Sequence, residues 1–412
     1  MRREWYRSCA LVSASVLLSV VTTAGWSQGV TWLGAFPNGN RSEAFGVSAD
    51  GSVVVGRANN VLNQTRAIRW TQATGMQDLG ALQWDQSEAR GVSADGSAVV
   101  GASFHPTYGS LATRWTQATG MQSLGWLPNG RHSTAWGVSA DGSVVVGVSY
   151  VYGEPRAFRW TQATGIVQIP NTLGGGRDHA YGVSADGSVV VGWANNASGQ
   201  TRAFRWTQAT GMQDLGTLGG NRSEAFGVSA DGSVVVGRAI NASGQDRAFR
   251  WTQATGMQDL GTLPNSRWSW AWGASADGSV VVGYALKTSG QRAFRWTQAG
   301  GMEDLTQTYA SLLNGSYLET AFAVSPDGRY IVGYGYNAAT GRVEGYLLDA
   351  GPICEHNGDV DNNGCIDDAD LLTVLFAFGS SGSNLGRVDV NCDGTVDDAD
   401  LLIVLFNFGS GC

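Results

Sequence analysis

Residues 359–370 read Asp-Val-Asp-Asn-Asn-Gly-Cys-Ile-Asp-Asp-Ala-Asp, and the pattern returns 30 positions later as Asp-Val-Asn-Cys-Asp-Gly-Thr-Val-Asp-Asp-Ala-Asp over 389–400. In each stretch of twelve, oxygen-bearing side chains stand at positions 1, 3, 5, 9 and 12, with a Gly at 6. A hard cation that takes six to eight oxygens is held by such a loop, which adds the backbone carbonyl of position 7. The spacing therefore predicts two calcium ions. The first falls to Asp359, Asp361, Asn363, the carbonyl of Cys365, Asp367 and Asp370. The second falls to Asp389, Asn391, Asp393, the carbonyl of Thr395, Asp397 and Asp400. Their role is structural, because a stretch this short and this charged cannot fold on apolar area alone.

Each loop runs into an apolar segment, 371–378 and 401–408, stopped by Gly379 and Gly409, which predicts one exiting helix per loop. The Gly-, Pro-, Ser- and Asn-rich stretches before the loops predict no entering helix. Residues 354–412 hold ten Asp and one Glu against one Arg, more than the whole net charge of −8, so the rest of the chain is close to neutral. No basic stripe is left to hold nucleic acid. Four Cys (354, 365, 392 and 412) sit in the same stretch. An even number in an exported chain predicts two disulfides, with three pairings open.

Export is expected from the first 24 residues. Three Arg within the first seven positions precede an apolar run from Cys9 to Val21, and the small Thr22-Thr23-Ala24 offers a cleavage site. No other segment is long and apolar enough to span a membrane.

What positions these groups is a repeat. The Asp of Gly-Val-Ser-Ala-Asp-Gly-Ser-Val-Val-Val-Gly recurs at 50, 95, 141, 186, 231, 277 and 327, about every 45 residues. Arg-Ala-Phe-Arg-Trp keeps pace through Trp70, Trp115, Trp160, Trp206, Trp251 and Trp296. In the fifth unit four strand signals follow one another, at 225–229, 233–238, 247–251 and 257–260. Ser-Ala-Asp-Gly supplies the first turn and Gln-Ala-Thr-Gly another. Four antiparallel strands in a period of this length make a propeller blade. A fourth-strand signal, Val30-Thr-Trp-Leu33, precedes the first unit, and the last unit lacks one. Residues 30–34 are therefore expected to complete the seventh blade as its outer strand, which leaves no exposed edge.

The Ser325-Pro-Asp-Gly328 turn, the Val-Val-Gly strand and the Trp closing the third strand resemble the WD40 layout, with Trp-Thr in place of Trp-Asp. Ala-Phe-x-Trp and Met212-Gln-Asp-Leu-Gly-Thr-Leu-Gly-Gly220 are similar to the HAF family of extracellular repeats, here with Arg156, Arg202, Arg247 and Arg292 where that family has His. The resemblance covers about 30–350 and implies architecture, not activity. The duplicated loop and helix, with Asp at position 12, resembles a type I dockerin over 359–409. It implies a cohesin partner and a polysaccharide-degrading setting. Positions 10 and 11, Asp368-Ala369 and Asp398-Ala399, replace the hydroxyl pair of cohesin readers, and neither helix carries Lys or Arg. The close-lying ends of a dockerin imply Cys354 with Cys412, leaving Cys365 with Cys392.

The expected fold is all-β, a seven-bladed propeller of four-stranded blades over 30–350, followed by a small helical calcium module over 351–412. Residues copied into every unit read as scaffold, with the Arg of Arg-Ala-Phe paired to Asp78, Asp214, Asp259 or Asp304. Variation concentrates in the loops after the second and fourth strands, which share one rim. The candidate ligand residues there are Glu43, Trp84, Glu88, Tyr108, His179, Glu224, Trp268 and Trp270. Aromatics beside carboxylates suit a carbohydrate or peptide. The expected function is a secreted or cell-surface, non-catalytic binding or scaffold protein. It is attached to a cohesin-like or surface partner through its C-terminal module. The alternative is a propeller glycosidase or lyase using Glu43, Glu88 or Glu224.

Overall fold

A computed structural model describes residues 28–412, apart from 106–108, 352–357, 362, 382–384 and 391–394. The expected signal segment, Tyr108, Cys354, Cys392, Asn391 and Asp393 lie outside the described residues. Two compact units divide the described chain, residues 28–355 and residues 356–412. Among the described residues no helix is long and apolar enough to cross a membrane.

The first unit is seven antiparallel sheets of four strands each. Blade one runs Ser42–Val47, Val54–Asn59, Thr65–Thr71 and Gly75–Asp78 from the channel outwards. Blade seven has three consecutive strands, Tyr317–Val324, Tyr330–Asn337 and Arg342–Asp349, and its outer strand is Gly29–Trp32. Gly29 lies opposite Asp349 and Trp32 opposite Tyr346, so the ring closes as the displaced strand signal predicts.

The repeated residues build this ring. Ser48 donates its hydroxyl to Asp50 (2.7 Å), whose carboxylate accepts the Ser52 N–H (3.0 Å), while Val53 N–H donates to Ser48 Oγ (2.9 Å). Such bonds favour the ionised carboxylate and hold Asp141 and Asp186 down to about 2. Turn is joined to turn by backbone bonds, Ala49 N–H to the Ala94 carbonyl, Ala94 to Ala140, and so on to Ala276 and Pro326. Proline has no N–H to pass on, so the string stops at the seam between blades seven and one. The last Gly of Val-Val-Val-Gly has a separate cause. A Cβ on Gly101 would sit 2.0 Å from the Glu88 carbonyl oxygen, beside the bulge between Ala89 and Gly91.

The two arginines of Arg-Ala-Phe-Arg-Trp divide the work. The second reaches the turn of the next blade, as Arg205 does to the Gly232 carbonyl (2.8 Å) and Arg250 to that of Gly278 (3.0 Å). The first pairs as expected in Arg66–Asp78 (3.0 Å) and Arg202–Asp214 (3.4 Å). Elsewhere the pairing differs. Asp304 takes Lys287 (2.6 Å), and Arg247 turns to Gln245 and the Arg267 carbonyl, leaving Asp259 to cap the Gly261 N–H.

Blade is fastened to blade by one more buried group. Ser87 Oγ accepts the Ala67 N–H of the preceding blade (2.9 Å) and donates to the Gly80 carbonyl (2.6 Å). Ser42, Ser133, Ser223 and Ser269 make the corresponding bonds. In blade four the position is Asp178, fully buried. One carboxylate oxygen accepts the Ala157 N–H (2.6 Å) and the other has no hydrogen-bond partner.

The second unit packs Val360, Ile366, Val374, Val390, Val396 and Val404 into its core. Its helices, Asp368–Ala377 and Asp398–Phe406, begin three residues before the apolar runs. Asp367 and Asp397 are N-caps, each completing a capping box with the Asp three residues on. The two halves cross-link symmetrically. Ile366 exchanges backbone bonds with Gly409 and Ser410, and Val396 with Gly379 and Ser380. This pairing seats the C-terminus against the first loop, and the disulfide among the described residues is Cys365–Cys412, with Cα atoms 4.7 Å apart. The Cys354–Cys412 and Cys365–Cys392 arrangement implied by the dockerin likeness is corrected accordingly.

Candidate functional site

The channel is lined by the inner strands, on which alternate residues face inwards. Glu43, Glu88, Thr134, His179, Glu224, Trp270 and Thr320 occupy equivalent places at its mouth. The carboxylates of Glu43 and Glu88 share Arg57 (2.9 and 3.5 Å). Arg41 closes on Glu43 and Arg90 on Glu88, both at 2.6 Å. Glu224 is held by Arg222 and by Arg238 (3.0 Å), and the Arg238 guanidinium lies 3.9 Å from the Trp270 ring centroid. Trp84 is half-buried and Trp268 stands further out on its strand, 38% exposed, so these two do not join the funnel.

Two residues deeper lies a layer that the sequence reading missed. Phe45, Arg90, Trp136, Tyr181, Phe226, Trp272 and Phe322 touch in a closed circle. Phe45 meets Phe322 at 5.1 Å between centroids, Phe322 meets Trp272 at 5.4 Å, and Trp272 stacks on Phe226 at 4.4 Å. Phe226 meets Tyr181 at 5.2 Å and Tyr181 meets Trp136 at 4.9 Å. Arg90 completes the circle, 3.8 Å from the Trp136 centroid and 5.4 Å from that of Phe45. Edge-to-face rings and a guanidinium over an aromatic face are mutually attractive. The signal was available in the aligned repeats, where the middle residue of the inner strand is bulky in every unit but never the same bulky residue throughout.

Above this layer is a cavity of about 390 Å³ lined by the aromatic circle together with Arg41, Glu43, Arg57 and Tyr334. Below it the channel is lined largely by glycines and valines. His179 stacks on Tyr181 at 4.1 Å, and burial drives its imidazole down to about 3, so it is neutral at physiological pH. Burial likewise pushes Tyr181 up to about 12, which keeps it a phenol. The indole N–H groups of Trp136, Trp270 and Trp272 are buried and have no hydrogen-bond partner. On the rim the two variable loop sets meet around a second cavity of about 640 Å³ between Asn129–His132 and Tyr150–Gly153.

In the C-terminal unit, carboxylate oxygens of Asp359, Asp361 and Asp370 lie within 4.8 Å of one another. Backbone N–H groups orient them. Asp370 accepts from Val360 (2.6 Å), Asp361 (3.1 Å) and Asp367 (2.9 Å), and Asp359 from Asn363 (3.1 Å) and Gly364 (3.0 Å). Asp389 and Asp400 of the second loop match Asp359 and Asp370 in burial, 7% and 0% exposed in both loops. Asp367 turns one oxygen to the Ala369 N–H (2.8 Å) as an N-cap, in keeping with a water-mediated place at position 9.

Residues 28–355 thus form a closed seven-bladed β-propeller whose funnel is lined by aromatic rings. No family model and no curated protein matches the chain. Among solved structures, an oligogalacturonate lyase from Vibrio parahaemolyticus is 12% identical, with a TM-score of 0.51, over 78% of this chain and 93% of that one. The β-propeller domain of the Trilobed protease from Pyrococcus furiosus is 10% identical, with a TM-score of 0.51, over 74% and 95%. TolB from Acinetobacter baumannii aligns at 13% identity and a TM-score of 0.46, and the chain spans 63% of its length. At these identities the propeller fold is what is shared.

Proposed function

We propose that this is an exported, non-catalytic binding propeller. In this reading it takes a ligand in its funnel and is attached to a partner protein through a C-terminal module holding two structural calcium ions. The observation that carries the reading is the mouth itself. Glu43, Glu88 and Glu224, the carboxylates at the equivalent mouth position, are each engaged by two guanidiniums. Glu43 and Glu88 share one of these and do not face each other across the channel. Chemistry of the glycosidase or lyase type gains no support from that geometry, whereas a pre-formed, largely aromatic cavity suits binding.

Calcium fits the donor set of the tail. Carboxylates buried in a small unit are costly unless a cation compensates them. The first ion would be held by Asp359, Asp361, Asn363, the Cys365 carbonyl and Asp370, with Asp367 through water. The second would be held by the corresponding residues of 389–400. Attachment is supported by the helices, where Phe376 and Phe406, at equivalent places, are 88% and 84% exposed. Large aromatic side chains left in water in matched pairs mark an interaction surface.

The test is capture of purified type I cohesin modules by the full chain, with calcium and with EGTA. Capture should need calcium and fall at least tenfold in Phe376→Asp combined with Phe406→Asp. Capture that persists in EGTA, or is unmoved by the double substitution, would remove the attachment role.

A further inference from the structure

We propose that the funnel binds a carboxylate-bearing saccharide, that is, a uronate residue. The proposal rests on the binding reading above and narrows it to one ligand class. The wall contributed by blades one and two carries three guanidiniums, Arg41, Arg57 and Arg90, against the two carboxylates of Glu43 and Glu88. Behind Arg41, Arg292 and Glu319 add one charge of each sign, so one positive charge remains uncompensated. In a confined cavity such an excess attracts one carboxylate. A phosphate dianion would have to approach two fixed carboxylates on the same wall.

The remaining groups distinguish a sugar acid from an aromatic acid. Indole is a donor only, and Trp136 and Trp272, both lining the cavity, carry N–H groups with no partner in the protein. Glu43, which lines the cavity, keeps lone pairs beyond those taken by its arginines, and burying it under a ligand without hydroxyls would leave those sites unmet. A pyranose meets both needs, since every hydroxyl donates and accepts. The aromatic floor offers faces and edges for the apolar side of the ring, and about 390 Å³ lies in the range of small-ligand sites. An aromatic acid would satisfy the floor and the charge but not Glu43.

Calorimetric titration of the full chain with sodium glucuronate, glucose and sodium benzoate tests this. Glucuronate should bind at least tenfold more tightly than either control. Its affinity should fall at least tenfold in Arg90→Gln and be partly restored in Arg90→Lys, with thermal melts confirming that each variant is folded. Trp272→Phe, which removes one indole N–H and keeps an aromatic floor, should weaken binding several-fold. Equal binding of glucose, tighter binding of benzoate, or glucuronate binding unchanged in Arg90→Gln overturns the proposal. Another glycan or a peptide bound with no sensitivity to Arg90→Gln would overturn it too while leaving the binding propeller in place. A chain that binds nothing at either unit overturns both.

Discussion

Chelation of calcium is expected to unfold residues 356–412 and leave the propeller standing. The four carboxylates buried in that unit, Asp359, Asp370, Asp389 and Asp400, also hold its geometry, because Asp370 and Asp400 complete the capping boxes that start both helices. Without a cation their mutual repulsion acts on the first turn of each helix, and six core residues, five of them valines and none aromatic, have little to set against it. If free calcium stands near a hundredfold above its dissociation constant, each ion contributes roughly 2.7 kcal/mol, which for two sites is comparable to the whole stability of so small a unit. Thermal melts of the full chain should show two transitions, with EGTA abolishing the first and leaving the second in place. Limited proteolysis should then cut after residue 356 and nowhere in the blades. Asp361→Ala, which takes away an exposed ligand of the first loop, should lower the first transition without abolishing it. Melts and cleavage patterns identical with and without EGTA would rule out the calcium assignment.

Replacing Asp178 by serine should stabilise the propeller by about 1–3 kcal/mol at pH 7.5. Five blades place a serine hydroxyl at this point, which accepts from the neighbouring blade and donates to a carbonyl. Asp178 reproduces the first bond only. Burial of its second oxygen pushes the carboxyl up to about 6, against an ordinary value of 3.8 in the unfolded chain. Between those values the folded protein holds a proton that the unfolded protein has released. The contribution of this carboxyl to stability therefore declines as pH rises from about 4 to 6 and is flat on either side, a total of roughly 3 kcal/mol. Below pH 4 both states are protonated, and no charge is left to bury. The advantage of Asp178→Ser in thermal melts should accordingly be large at pH 7.5 and nearly vanish at pH 4. An advantage independent of pH would show that the buried charge is not its cause.

The repeat, the blade count and the closing strand were legible because each leaves a local mark, a turn or an alternation, at a fixed spacing. Glu43, Glu88, His179, Glu224 and Trp270 were found at the mouth by the same means. The aromatic circle was not, since the middle of the inner strand carries no repeated residue type to mark it. There Phe45, Trp136, Tyr181, Phe226, Trp272 and Phe322 differ in identity but agree in bulk. Arg90 among them explains itself only when its two ring neighbours are in view. The cysteine pairing, left open by the sequence and implied otherwise by the dockerin likeness, was not legible for a different reason. Which cysteine meets Cys412 is decided by the backbone bonds between Ile366 and Ser410, and nothing in the spacing of the cysteines reports a pairing of that kind.

The strand Gly29–Trp32 finds its partner Arg342–Asp349 across about 320 residues of intervening chain. Bringing ends that far apart together carries a loop-closure entropy of roughly 5 kcal/mol, more than four residue pairs return until the blades between them have already formed. Assembly is thereby ordered in time. The segment made early is used last, and the clasp snaps shut only on a chain in which every blade is present. A chain halted before residue 342 would carry an unpaired strand and an open sheet edge, the two features by which misfolded β-proteins are drawn into aggregates. Opening should run in reverse from the same seam, where Pro326 interrupts the string of turn-to-turn bonds.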